Sequence, residues 1–220
     1  MMPSRFLSLF LLSLGVGSGC VELPKHQEPL TIDEPVLALN VDVGSGDVHI
    51  VGADVSGVSV VATVEGDRNH LGYGLSDGRL SLYEECNEQP CSVDIDALVP
   101  AAIPMDLNTG SGDLRVEGAL ERLHIDAGSG DVQGFEIAGL DLAVKTGSGD
   151  IDLQVLAPAE RVSVRAGSGD VRLTVPAGGY QLALDTGSGD RKVSGIANDA
   201  TASSSIAVDT GSGDVHIAGR

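Results

Sequence analysis

Along most of the chain apolar residues recur at every second position and then halt at a short glycine-rich run. Leu142, Val144 and Thr146 alternate with Ala143 and Lys145, and a period of two is that of a strand with one buried face. The same inward triplet returns as Leu123/Ile125/Ala127, Val162/Val164/Ala166, Leu182/Leu184/Thr186 and Ile206/Val208/Thr210, with a small residue last. Past the glycine run the alternation resumes as Ile151/Leu153, Val171/Leu173 and Val215/Ile217. The predicted unit is strand, tight turn, strand.

The turn reads G-S-G-D in seven copies, beginning at Gly44, Gly110, Gly128, Gly147, Gly167, Gly187 and Gly211. From the second copy on they lie 18, 19, 20, 20 and 24 residues apart, the signature of stacked repeats. Glycine supplies positive φ, while Ser and Asp can bond nearby backbone amides. One such strand pair cannot bury its apolar face alone, so equivalent strands from successive coils must pair in parallel at ~4.8 Å. The predicted fold is all-β, a parallel β-solenoid of about seven G-S-G-D repeats. The spacing leaves two- and three-sided coils both open; variable stretches such as Gln154 to Glu160 and Ser194 to Ser204 absorb insertions.

These repeats resemble a bacterial family named putative adhesin, a domain of unknown function built from S-G-D-[VIL] repeats on a β-helix-like scaffold. The resemblance covers roughly Val36 to Arg220. It implies surface interaction, and it brings no catalytic residues with it.

The first repeat, Val36 to Ile50, precedes the next G-S-G-D by 66 residues. Val58 to Val64, Arg79 to Tyr83 and Ser92 to Val99 read as strands in that interval, with Gly66-Asp67 and Asp77-Gly78 as turns. Residues 36–105 are thus predicted to form a less regular N-terminal cap on the repeats of 106–220, a small separate sheet domain being the alternative. The repeats run to Arg220 without a polar helix or extra hairpin, so the C-terminal end of the stack is expected to be open.

Ahead of this, Arg5, an apolar run from Phe6 to Val16 and Gly17-Ser18-Gly19 describe a secretory signal over residues 1–19. Cys20 directly after them resembles a bacterial lipobox, although Gly17 stands where that motif usually has Leu. Lipidation of Cys20 is the expectation, and cleavage before an unmodified Cys20 is its rival. Residues 20–35 hold Pro24, Pro29 and Pro35 among charged residues and read as a tether. Together these predict an exported protein of the bacterial envelope, an outer-membrane lipoprotein on either its periplasmic or its surface face.

A net charge of −19 excludes nucleic acid and anionic lipid as favoured partners by long-range repulsion. Cations, basic proteins and neutral glycans remain. Three Phe, three Tyr and no Trp argue against an aromatic platform for sugars.

Candidate chemistry falls into three groups. Cys86 and Cys91 are expected to form a disulfide in an oxidising compartment; a metal site is the weaker reading, because His26 and His70 are not at ligand spacing. Leu184-Asp185-Thr186-Gly187 and Val208-Asp209-Thr210-Gly211 match the aspartic-protease string, but the same column holds Asn108, Asp126, Lys145 and Arg165 elsewhere, so Asp there is an outward residue before a turn. The turn aspartates Asp47, Asp113, Asp131, Asp150, Asp170, Asp190 and Asp214 should form a ladder of closely spaced carboxylates. That ladder needs backbone donors, basic neighbours such as Arg115, Arg172 and Lys192, or bound calcium. His49 and His216 occupy equivalent outward positions and are expected to be solvated. Arg191 stands where every other repeat has an apolar residue, either guarding an open C-terminal edge against self-association or turned to solvent by a bulge. The functional expectation is a non-catalytic adhesin-like scaffold for a protein or glycan ligand. The alternatives are a structural or regulatory periplasmic lipoprotein without external ligand and a calcium-binding repeat protein.

Overall fold

The computed structural model describes residues 23–119 and 121–220. The chain enters as β1 (Lys25–Ile32), forms the first strand–turn–strand unit as β2 (Ala38–Ser45) and β3 (Val48–Ala53), and continues through β4 (Val58–Glu65), β5 (His70–Ser76), β6 (Arg79–Glu85) and β7 (Val93–Pro100). Paired strands follow: β8 (Met105–Ser111) with β9 (Leu114–Glu117), β10 (Leu123–Ser129) with β11 (Val132–Ile137), and β12 (Asp141–Ser148) with β13 (Ile151–Val155). Next come β14 (Arg161–Ser168) with β15 (Val171–Val175), then β16 (Gly178–Ser188) with β17 (Arg191–Ser194). A short β18 (Ile196–Asn198) precedes the last pair, β19 (Ser205–Ser212) and β20 (Val215–Gly219).

Each coil has two sides. Strands before the turn assemble into one ten-stranded sheet and strands after it into another, so the protein is a parallel β-solenoid of two facing sheets. Registers are those of like on like: Leu123, Ile125 and Ala127 stand beside Leu142, Val144 and Thr146, which stand beside Val162, Val164 and Ala166. These triplets and the facing Val132, Ile151, Leu153, Val171 and Leu173 are buried and fill a single core between the sheets. Among the described residues Thr109, Thr146 and Thr210, next to the turns, are buried polar members of this core, and the hydroxyls of the last two are partnered. Thr146 Oγ1 donates to Ser148 O at 3.2 Å and Thr210 Oγ1 to Gly169 O at 3.3 Å, so their hydroxyls satisfy turn carbonyls.

The interval between the first two G-S-G-D turns extends the same two sheets. β6 and β7 lie parallel to β2 and β3, and then β5, β4 and β1 are added antiparallel. Antiparallel neighbours can be joined by a tight hairpin, and β5 turns into β6 through Asp77 and Gly78, both at positive φ. β1 corrects the expected tether: Lys25–Ile32 is an edge strand paired along its whole length with β4. Its inward positions are His26, Glu28, Leu30 and Ile32, so only the last two carry an apolar signal, and Pro29 is tolerated because an edge strand pairs on one side only.

The other end corrects the expected order of coils. β19 inserts between β14 and β16, and β20 between β15 and β17, so the coil turning at Gly211 lies inside the stack and the coil turning at Gly187 ends it. The longer 24-residue spacing supplies the slack, carried by β18 alongside the start of β16. Burial explains the choice. Ile206, Val208, Val215 and Ile217 are buried, whereas Leu182, Leu184 and Ile196 are half-buried and Val193 is exposed.

Arg191 pairs in register with Val215, so no bulge turns it aside. Its Nη1 donates to Leu184 O at 2.8 Å, carrying a guanidinium from one sheet across the open end of the core to the other. A charge at an edge strand resists pairing with another sheet edge. Arg191→Val should therefore produce concentration-dependent dimers or fibres in sedimentation velocity; a profile identical to the parent at high concentration would show that the guanidinium does not guard this edge.

Candidate functional site

The seven turns stack as one column, and the aspartates join it by a single repeated bond. The backbone N–H of Asp113 donates to Asp47 Oδ1 at 2.8 Å, that of Asp131 to Asp113 Oδ1 at 2.9 Å, and that of Asp150 to Asp131 Oδ1 at 2.8 Å. The series continues from Asp170 to Asp150 (2.8 Å), Asp214 to Asp170 (2.9 Å) and Asp190 to Asp214 (2.8 Å), in the spatial order of the coils. Asp94 of β7, which has no G-S-G-D motif, receives the Asp47 N–H at 3.1 Å and extends the ladder by one rung. Running the other way, the second glycine of a turn donates to the serine carbonyl of the next, as Gly130 does to Ser148 at 2.9 Å.

This closeness explains the glycines. At Gly149 φ is +139°, and a Cβ there would lie 2.1 Å from the Gly130 carbonyl oxygen. Backbone donors rather than basic neighbours hold the carboxylates. Arg172 does approach Asp170 at 3.4 Å and Asp150 at 4.0 Å, but Arg115 bonds Glu117 and Gln133 and lies 4.5 Å from the Phe135 ring centre instead. Oδ1 of each linking carboxylate accepts the amide of the next coil, so the column carries a backbone donor for each of them.

The outward faces resolve the remaining motifs. Asp185 and Asp209 are neighbours on paired strands, exposed and pointing away from the core, while Thr186 and Thr210 face inward onto turn carbonyls. His49 stays partly open to solvent, with Nδ1 3.3 Å from Asp96 and Nε2 3.6 Å from Glu117; His216 is exposed. The Arg115 guanidinium beside Glu117 holds that carboxyl below its ordinary pKa. Cys86 and Cys91 form a disulfide with Cα atoms 5.7 Å apart, closing the segment between β6 and β7. Cys20 and the signal segment, residues 1–19, lie outside the described residues.

One group was not legible from spacing. His26 and Glu28 of β1 meet His70 of β5, 42 residues beyond Glu28, with His70 Nδ1 2.7 Å and His26 Nε2 3.1 Å from the same Glu28 Oε1. The Leu71 N–H donates to Glu28 Oε2 at 2.8 Å. Partial burial pushes the Glu28 pKa up, but the bonds from His70, the Leu71 amide and His26 outweigh it and hold the carboxyl below its usual value. Sequence spacing did not put His26 and His70 at ligand separation; pairing of β1 with β4 and of β5 with β6 brings both rings to one carboxylate.

A family profile described as Toastrack DUF4097 matches residues 12–218. Among solved structures, a putative cell adhesion protein from Clostridium sporogenes is 16% identical with a TM-score of 0.56, over 90% of this chain and 100% of that one. A putative adhesin from Bacteroides fragilis is 11% identical with a TM-score of 0.51, again over 90% and 100%. At these identities the likeness is one of fold. No curated protein matches the chain.

The ladder predicts two mid-stack effects. Asp150→Ala removes the acceptor of the Asp170 amide and should lower stability by about 1–2 kcal/mol, and Gly149→Ala should lower it more, because backbone rather than a flexible side chain meets the new methyl. Thermal melting checks both. Millimolar calcium should leave the parent's melting temperature nearly unchanged, and a rise of tens of degrees reversed by chelator would mean that cations, not amides, hold the ladder.

Proposed function

The chain belongs to the Toastrack DUF4097 family, and from that premise we propose that it is a non-catalytic, adhesin-like interaction scaffold, exported to the bacterial envelope and anchored by a lipid on Cys20. The observation that carries this reading is a division of labour between columns. Inward and turn columns repeat nearly the same residue from coil to coil. The outward column before the turn runs Asp42, Asn108, Asp126, Lys145, Arg165, Asp209, Asp185, changing in charge and size along one sheet. Adjacent outward residues also interact, as Lys145 does with Asp126 at 3.0 Å. A rigid face whose chemistry varies along its length suits recognition of an extended ligand.

The names of the structural neighbours from Clostridium and Bacteroides support the same reading. So does the fate of the catalytic-looking strings: Asp-Thr-Gly serves stacking here, with the two aspartates side by side on one surface rather than across a cleft. With an overall charge of −19, the ligand is a protein with a basic surface or a neutral glycan.

Two measurements test the proposal. Protease added to intact cells should cleave the protein; survival on intact cells with cleavage after lysis would place it inside the envelope and favour a structural or regulatory lipoprotein without external ligand. Cys20→Ser should move the protein from the membrane to the soluble envelope fraction, and unchanged membrane partitioning of that variant would end the lipid-anchor reading.

A further inference from the structure

The cluster at the N-terminal end of the stack unites the edges of both sheets. β1 is the outermost strand of one sheet and β5 the outermost strand of the other, and their backbones are not paired with each other. What spans them is side-chain chemistry: two imidazole nitrogens and a carboxylate oxygen, all within 4.8 Å of one another. His26 and Glu28 are two apart on a strand and so share a face; His70 approaches from across the sandwich end. The two rings meet edge to face at 72°, centroids 6.1 Å apart, with the carboxylate oxygen between their nitrogens.

We propose that His26, Glu28 and His70 form a binding site for a borderline divalent transition-metal ion of the zinc class, which fastens β1 to β5. Two imidazoles and one carboxylate are a donor set that zinc accepts, with a fourth position left for water. Donors that each bind zinc at ~2.0–2.1 Å in tetrahedral array stand roughly 3.3–3.4 Å from one another. The nitrogen-to-oxygen distances of 3.1 and 2.7 Å would open by roughly 0.2–0.3 and 0.6–0.7 Å to reach that separation. The remaining carboxylate oxygen is held by the Leu71 amide at 2.8 Å, the kind of outer contact that fixes a ligand's orientation. Binding requires each neutral imidazole to carry its proton on the remote nitrogen, Nδ1 of His26 and Nε2 of His70, leaving the facing lone pairs for the metal. All three side chains are partly open to solvent, so the ion can enter without unfolding the end.

Cys86 and Cys91 also lie beside an acidic residue, Glu84, but their sulfurs are joined to each other and are not free ligands. The imidazole–carboxylate cluster is therefore distinct from the disulfide.

The test is calorimetric titration of the metal-free protein with zinc chloride, together with thermal melting with and without zinc. One zinc per chain is expected, with a rise in melting temperature set by mass action. His26→Ala and His70→Ala should each weaken binding at least tenfold, while His124→Ala, outside the cluster, should not. Cobalt(II) in place of zinc should give the visible absorption of a four-coordinate ion, lost in the double variant His26→Ala/His70→Ala. Zinc-free melting of each variant shows whether its fold is intact. Where His70→Ala does not fold, Glu28→Gln takes its place, since its amide oxygen can still accept the Leu71 N–H. Failure of the parent to bind zinc at micromolar concentration, or equal binding by the double variant, overturns the proposal.

Discussion

Strands in a sheet lie ~4.8 Å apart, and at two positions of each stacked turn a Cβ would run into the carbonyl of the neighbouring coil. That constraint governs this protein. It demands glycine on either side of each serine, and it places every aspartate amide beside the carboxylate of the coil before it. Once those bonds form, register cannot slip by one residue without losing every rung, because neighbouring turns are linked residue for residue. The inward triplets then stand like on like as a consequence of the turns. A side-chain period of two would by itself permit slips of two; the turn column forbids them.

What could be read from the sequence was what is encoded locally. The inward triplets, the turns and the strands β4, β6 and β7 follow from alternation and glycine placement within a few residues. Long-range order did not follow in the same way. β1 alternates, but half of its inward positions are His26 and Glu28, which register as polar until His70 is brought beside them. Asp94 joins the aspartate ladder without any turn motif, through pairing of β7 with β3. The inserted coil left two traces, the 24-residue spacing and Arg191: a charge at an inward position marks the coil that belongs at an edge, here the Gly187 coil rather than the later one.

The same separation explains why architecture is so much more legible here than ligand. Residues that set the fold must repeat, since each meets its own equivalent in the next coil. Outward residues meet solvent and only incidentally one another, so Asp126 beside Lys145 or Ala143 beside Ser163 costs the stack nothing. Exposed ion pairs of this kind are worth little to stability, which leaves the outer faces free to change without disturbing the interior. The histidine–carboxylate group breaks this pattern, being polar, facing inward and placed where the regular repeats give way to antiparallel strands.

The interleaved coil alters how the stack can come apart. A solenoid wound strictly in sequence behaves as a zipper, each coil depending only on its neighbours, so terminal coils fray and the opening creeps inward. Here residues 205–220 are clasped between two coils formed by earlier segments, and the exposed coil at that end is tethered on both sides by chain that returns into the interior. Withdrawing β19 and β20 would split the stack rather than shorten it. The last segment therefore works as a keystone: the end coil gains its full set of backbone partners only when that segment has slotted in, which ties the closing of the fold to a contact formed late along the chain.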